Sequence, residues 1–135
     1  MRTLCWFCII ASVAGAHGCS KKSSSANVPQ LHSVKGVVNK GGLPVNGGTL
    51  FIRPDQDQPN LMISANVGPD GRFEVVSMDT QDRDGKKRPG APEGTYRITY
   101  APPGQDQTVA PIDVAKAFAV ETKGNEWTIE LNEKK

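Results

Sequence analysis

Residues 61–76 read Leu61-Met62-Ile63-Ser64-Ala65-Asn66-Val67-Gly68-Pro69-Asp70-Gly71-Arg72-Phe73-Glu74-Val75-Val76. Leu61, Ile63, Ala65 and Val67 alternate with polar or small residues, the period of a half-buried strand. Gly68-Pro69-Asp70-Gly71 is a strong turn signal, because Asp-Gly supplies the positive φ that tight hairpins require. Phe73 and Val75 then alternate with Arg72 and Glu74. The stretch predicts a β-hairpin with one apolar face and one polar face, and so points to an all-β domain.

Working outward, the same period recurs. Val34, Gly36 and Val38 predict a strand before the hairpin, ended by the turn Lys40-Gly41-Gly42-Leu43-Pro44. Leu50 and Ile52 predict another, stopped by Pro54. Asp55 to Asn60 is expected to be loop. Beyond the hairpin, Ser77 to Glu93 is polar and rich in Asp, Gly and Pro, and is expected to be a long loop. Tyr96, Ile98 and Tyr100 predict a fifth strand, ended by Pro102-Pro103. Gly104 to Asp113 is expected to be loop, with a short helical turn near Val114–Ala117. Phe118 and Val120 predict a sixth strand, and Trp127, Ile129 and Leu131 a seventh after the turn Lys123-Gly124-Asn125. No amphipathic helix pattern of ten or more residues occurs after Cys19. Short strands between frequent turns, in a chain with 14 Gly and 10 Pro, predict a seven-stranded antiparallel β-sandwich whose two sheets bury their apolar faces together.

The order of these pieces resembles a known family. Val34-x-Gly36-x-Val38, Gly42-x-Pro44 and Leu50-x-Ile52-x-Pro54 are similar to the opening of the carboxypeptidase regulatory-like domain, in the transthyretin-like (prealbumin-like) group. Asp70-Gly71-Arg72-Phe73 matches its hairpin, and Gly90-Ala91-Pro92-Glu93-Gly94-Thr95-Tyr96-Arg97-Ile98 its Pro-x-Gly-x-Tyr-x-Val strand. Asn125 to Leu131 resembles the closing strand of small bacterial lipoproteins built on this domain. The resemblance covers about Ser33 to Leu131 and implies a Greek-key sandwich. It does not extend to the zinc peptidase domain from which the family takes its name. Nor does it carry the activity of the urate-pathway hydrolase in the group, which uses histidines, an Arg and a C-terminal Tyr-Arg-Gly-Ser: this chain ends Asn-Glu-Lys-Lys.

The N-terminal segment is of another kind. Met1 and Arg2 start it with positive charge, and Leu4 to Ala16 is uncharged and mostly apolar. As a helix, about a dozen residues rise only about 20 Å, short of a ~30 Å hydrocarbon core. That length suits the apolar region of an export signal. Ala16-His17-Gly18-Cys19 resembles the lipobox of bacterial lipoproteins, with Gly18 and Cys19 matching, Ala16 in place of the favoured Leu, and an unusual His17. Small residues admit a peptidase, and a thiol takes up the diacylglyceryl group. Residues 1–18 are therefore expected to be a signal peptide and Cys19 the lipidated first residue of the mature chain. An uncleaved anchor, and a plain signal cut elsewhere, remain open. Of the 3 cysteines, Cys5 and Cys8 would leave with the signal, and their Cys-x-x-Cys spacing is read as chance within it. Residues 19–30 are polar and Ser-rich, a composition expected to form a flexible tether reaching roughly 15–20 Å. Residues 31–135 form the folded domain.

Residues capable of chemistry are sparse. After Cys19 there is one histidine, His32, expected as an exposed strand-edge residue. No Gly-x-Ser-x-Gly elbow, phosphate loop or His-Glu-x-x-His pattern occurs. Asp79-Thr80-Gln81-Asp82-Arg83-Asp84-Gly85 has the alternate carboxylates of a calcium loop, but Thr80 stands where its first Asp belongs and Ala91 where its bidentate Glu belongs. It is read as a solvated loop, as is Lys86-Lys87-Arg88 beside Asp82 and Asp84. Phe51 is the only aromatic expected to face outward, and one ring does not make a sugar-stacking platform. A formal net charge of +2 provides no strong field for nucleic acid. The expectation is thus a non-enzymatic binding or structural module without metal or cofactor. A lipid anchor at Cys19 would hold it on the outer side of a bacterial membrane. Ser20, where in many Gram-negative bacteria an Asp would signal inner-membrane retention, favours the outer membrane if the cell is Gram-negative. The alternative is a secreted accessory domain, binding carbohydrate or protein, without a lipid.

Overall fold

The computed structural model describes residues 29–58, 60–104 and 109–132. The expected signal peptide, Cys19 and most of the expected tether lie outside them. The described residues contain ten strands and no helix: β1 (Val34–Lys40), β2 (Leu43–Pro44), β3 (Thr49–Pro54), β4 (Leu61–Val67), β5 (Arg72–Asp79), β6 (Lys87–Pro89), β7 (Gly94–Ala101), β8 (Ile112–Asp113), β9 (Phe118–Val120) and β10 (Asn125–Leu131). The seven predicted strands are all present, as β1, β3, β4, β5, β7, β9 and β10. The three additional strands are only two or three residues long, below the length at which alternation can be read.

The β4–β5 hairpin pairs Val67 with Phe73 through Leu61 with Asp79. Its turn is built as the residues require. The Gly71 N–H donates to the Gly68 carbonyl (3.0 Å), and the Gly68 N–H to the Arg72 carbonyl (2.8 Å). Pro69 and Asp70 occupy the centre, and Gly71 closes the loop at a φ of 75°. This is the turn-plus-bulge form of a three-residue hairpin loop.

The strands join in the order β10-β1-β5-β4-β3-β7-β8, with β2 on β1, β6 on β5 and β9 on β7. The sheet curls into a half-barrel around its apolar face. One pair departs from the expected all-antiparallel arrangement: β1 and β10 run parallel, from Val34 beside Asn125 to Lys40 beside Leu131. No turn links these strands directly. Almost the whole domain lies between them, so no hairpin constrains their relative direction.

The expected loop from Ser77 to Glu93 is also shorter than its composition suggested. β5 continues to Asp79, and Lys87–Pro89 returns as β6 against Val76–Met78. The helical turn expected near Val114–Ala117 is instead a pair of bends between β8 and β9. Its backbone is held to the sheet by the Val114 N–H donating to the Ile98 carbonyl (2.9 Å).

The core fills the inside of the curl. Val34, Val38, Leu50, Val75, Tyr96, Ile98 and Ile129 are at most 1% exposed. The two margins of the sheet, β7–β9 and β1–β10, meet through large side chains. The Trp127 ring lies 5.1 Å from Phe118 and 6.5 Å from Tyr96, centroid to centroid, and its indole N–H donates to the Ala119 carbonyl (3.2 Å). Asn125 locks the β9–β10 turn: its amide donates to the Glu121 (3.0 Å) and Lys123 (2.7 Å) carbonyls while accepting from the Glu121 N–H (2.9 Å).

Tyr96 combines an apolar ring with a satisfied hydroxyl, which donates to the Pro92 carbonyl at 2.7 Å. Burial pushes this hydroxyl above its ordinary value of 10.0, with a Gln58 hydrogen bond pulling the other way. A raised folded-state pKa means that the contribution of the neutral phenol is complete below the unfolded value and is lost as pH rises through the folded one. Tyr96→Phe is therefore expected to lower stability by about 1 kcal/mol at neutral pH through the lost hydrogen bond. It should also flatten the decline in stability above the tyrosine range. Urea unfolding followed from neutral to alkaline pH measures both, and an unchanged alkaline decline would contradict the assignment.

Candidate functional site

Cys19, the one residue assigned a role from sequence, lies outside the described residues. The other singled-out residues are placed as follows. His32 is half-buried rather than exposed, and its backbone forms a bridge with Ala91: the His32 N–H donates to the Ala91 carbonyl (2.8 Å), and the reverse bond is 3.0 Å. Pairing at this point explains the departure from expectation, since the segment ahead of β1 is drawn onto the sheet margin. Phe51 is 46% exposed on the outer face, as expected.

The Asp79–Gly85 loop uses its carboxylates on its own backbone. Asp79 Oδ1 accepts from the Gln81 N–H (2.8 Å), and Asp82 Oδ1 from the Asp84 N–H (3.1 Å). Gly85 turns the chain at a φ of 58°. These are side-chain turns that Asp forms in preference to extended structure. Among the described residues no three His, Cys, Asp or Glu side chains come together as a metal-binding group. Lys87 and Arg88 belong to β6, so two residues of the basic run are part of the sheet, and Lys86 alone remains in the loop.

The strand pairings assemble a surface that no single strand reveals. On the outer face, Thr99, Phe51, Ser64, Val76 and Pro89 lie side by side across β7, β3, β4, β5 and β6. One step along the strands is a second row: Arg97 and Arg53 directly opposed, then Met62 and Met78 paired, then Lys87 beside Met78. Between β7 and β6 neither row contains a carboxylate, but three border them: Asp113 of β8 continues the first row beside Thr99, Asp55 reaches Arg97 in the second, and Glu74 is the next outward residue of β5 after Val76. Met62 is 52% exposed, while Val76 and Met78 are half-buried. The result is an apolar strip of Phe51, Met62, Val76 and Met78 bordered by three cations.

Two like charges directly opposite on a sheet repel. One of them is compensated: Arg97 Nε donates to Asp55 Oδ1 at 2.9 Å, from the end of β3. Arg53 and Lys87 make no ion pair among the described residues. Beyond Arg97 the face dips into a groove of about 730 Å³ between β7 and the 113–117 segment. There Thr99 Oγ1 donates to Asp113 Oδ1 (2.8 Å), and Lys116 Nζ stands 5.4 Å above the centre of the Phe118 ring.

The outer face of the other half of the sheet contrasts with this. A groove of about 680 Å³ over β10, β1 and β5 is lined by Lys35, Arg72, Glu74 and Glu126. Its charges alternate in sign, and Lys35 Nζ lies 3.7 Å from Glu74 Oε1. Arg72 Nε likewise lies 3.6 Å from Asp70 Oδ2, so both cations of this half stand beside a carboxylate, whereas Arg53 and Lys87 make no ion pair among the described residues. Reading that difference from sequence would have required the register of five strands at once.

The use of Asp79 and Asp82 on backbone N–H groups leads to an expected outcome for calcium. Millimolar calcium should leave the melting temperature of the protein unchanged; a rise abolished by Asp82→Ala would show that the loop reorganises around the ion. No protein-family model matches the chain, and no curated protein matches it in sequence.

Proposed function

We propose that the chain is a bacterial lipoprotein: a non-enzymatic binding or structural module held on the extracytoplasmic side of a membrane by acyl chains on Cys19. The observation that carries this reading is Ala16-His17-Gly18-Cys19, placed at the end of a short apolar run and followed by a Ser-rich stretch. The geometry is compatible with it. The first strand-type contact of the folded body, His32 with Ala91, comes where the expected tether ends. Two or three acyl chains, each stabilised by roughly 0.8 kcal/mol per buried CH₂, hold a protein firmly where one does not. In a Gram-negative cell, Ser20 favours the outer membrane.

We also propose that the domain is a Greek-key sandwich of the carboxypeptidase regulatory-like, transthyretin-like kind. Two features support this. β3, β4 and β5 are consecutive neighbours, and β7 returns beside β3, the fourth-beside-first order that defines a Greek key when the short β6 is set aside. The Tyr96 hydroxyl bonds back to the Pro92 carbonyl, four residues upstream, in the manner of the tyrosine corner of Greek-key sandwiches. The non-enzymatic part of the reading is supported by chemistry: His32 is the only imidazole after Cys19, and it sits half-buried at a strand margin.

Labelled palmitate and cell fractionation test the anchor. The full chain is expected to incorporate label and to sediment with membranes, and Cys19→Ala to lose the label. A wild-type chain that is unlabelled and soluble would contradict the proposal.

A further inference from the structure

We infer that the part of the outer face that gathers Arg53, Arg97 and Lys87 around Phe51, Met62 and Met78, across β3, β4, β5, β6 and β7, docks on an anionic lipid surface. The inference rests on the anchor proposed above, and it goes further by assigning an orientation to the folded domain at the membrane.

Three observations converge on it. The first is composition by position. Arg97, Arg53 and Lys87 lie in one row with Met62 and Met78 among them, and Phe51, Val76 and Pro89 fill the next row. Cations interleaved with accessible apolar side chains suit the boundary between headgroups and acyl chains, where the charges meet phosphate and the Met and Phe side chains leave water. The second is charge balance. Arg53 and Lys87 are without an ion pair among the described residues, and Arg53 faces Arg97 directly. Arg97 already has Asp55 as its counter-charge, and an anionic surface supplies one to Arg53 and Lys87. The opposite outer face, with Lys35 on Glu74, has no such requirement.

The third is the path of the chain. Residues 19–30 separate Cys19 from the domain, and the domain is joined at His32, which pairs with Ala91 two residues beyond the end of β6. β6 is the margin of the cationic face. A segment of this length cannot reach farther than about 45 Å even fully extended at ~3.6 Å per residue, so an anchored Cys19 keeps this margin within that distance of the bilayer. Docking is then an intramolecular event, and a weak surface suffices because its effective concentration is high.

The test uses the full, acylated chain reconstituted in vesicles. A polarity-sensitive fluorophore is attached at Met62→Cys on the proposed face, or at Thr128→Cys on the exposed outer face of β10. Half of each vesicle population contains phosphatidylglycerol, and half phosphatidylcholine alone. Palmitate incorporation is measured on the same preparations. The expected result is a blue-shifted label at residue 62 in anionic vesicles, quenched by lipid-borne quenchers and reversed by high salt. The label at residue 128 should report water throughout. Arg53→Ser with Lys87→Ser should reduce the docked-to-undocked ratio about fivefold for each charge removed, while Lys35→Ser with Arg72→Ser leaves it unchanged. An acylated preparation in which residue 62 reports water in anionic vesicles overturns the docking face alone. So does equal burial of residues 62 and 128, or equal loss in the two charge variants. A preparation without acyl label overturns the anchor and this proposal together.

Discussion

Strand β1 must lie between two partners that leave no room above one of its backbone positions. Gly36 pairs with Phe73 on β5 and with Trp127 on β10. A Cβ at this position would fall on the Trp127 carbonyl oxygen and within 2.7 Å of Phe73 Cζ. The constraint is one of space and not of backbone torsion. The Phe73 ring folds over the bare backbone of β1, and that close approach lets Phe73 and Trp127, both about 5% exposed, fill one end of the core. Val34 and Val38, on either side of Gly36 on the same face, are completely buried.

The rest of the architecture follows from the seating of β1. Because β10 lies parallel to it in register, Trp127 is delivered to the gap between the two sheet margins, where it meets Phe118 and Tyr96. The curl that results turns the inner faces of all the long strands toward one another. It also turns the outer faces apart into two halves of different character. One half balances its charges locally. The other gathers Arg53, Arg97 and Lys87 around Phe51, Met62 and Met78. The inside of the sheet is thus devoted to stability, and one margin of the cationic strip lies beside His32, where the N-terminal segment joins.

Much of this was legible in the sequence, and the reasons are local. Alternation in 61–67 and 72–76 with Asp70-Gly71 between them specified the hairpin and its faces. The same period located the other long strands. What was not legible depends on distant pairing. The parallel direction of β10 on β1 has no signature in either segment. Lys87–Pro89 has the composition of a loop, and it becomes a strand only because β5 offers it a free edge at Val76–Met78. His32 was expected in solvent because the tether-like stretch runs up to it, yet Ala91 pairs with its backbone. The two outward rows of cations and apolar side chains were hidden for the same reason: their ten residues come from five strands, and each strand by itself shows only ordinary polar alternation. Cys19 is the reverse case, a residue whose proposed role is carried by its neighbours in sequence and not by the fold.

The seating of β1 between β5 and β10 is tested most directly by urea unfolding of Gly36→Ala, with Gly124→Ala as the control. No atom outside the neighbouring residues lies within 4 Å of the position a Cβ would take at Gly124. The account predicts that Gly36→Ala loses about 2 kcal/mol or more, the scale of forced overpacking in a closed site, while Gly124→Ala stays within about 0.5 kcal/mol of the parent. A Gly36→Ala protein with an unchanged midpoint and unchanged denaturant dependence would contradict it.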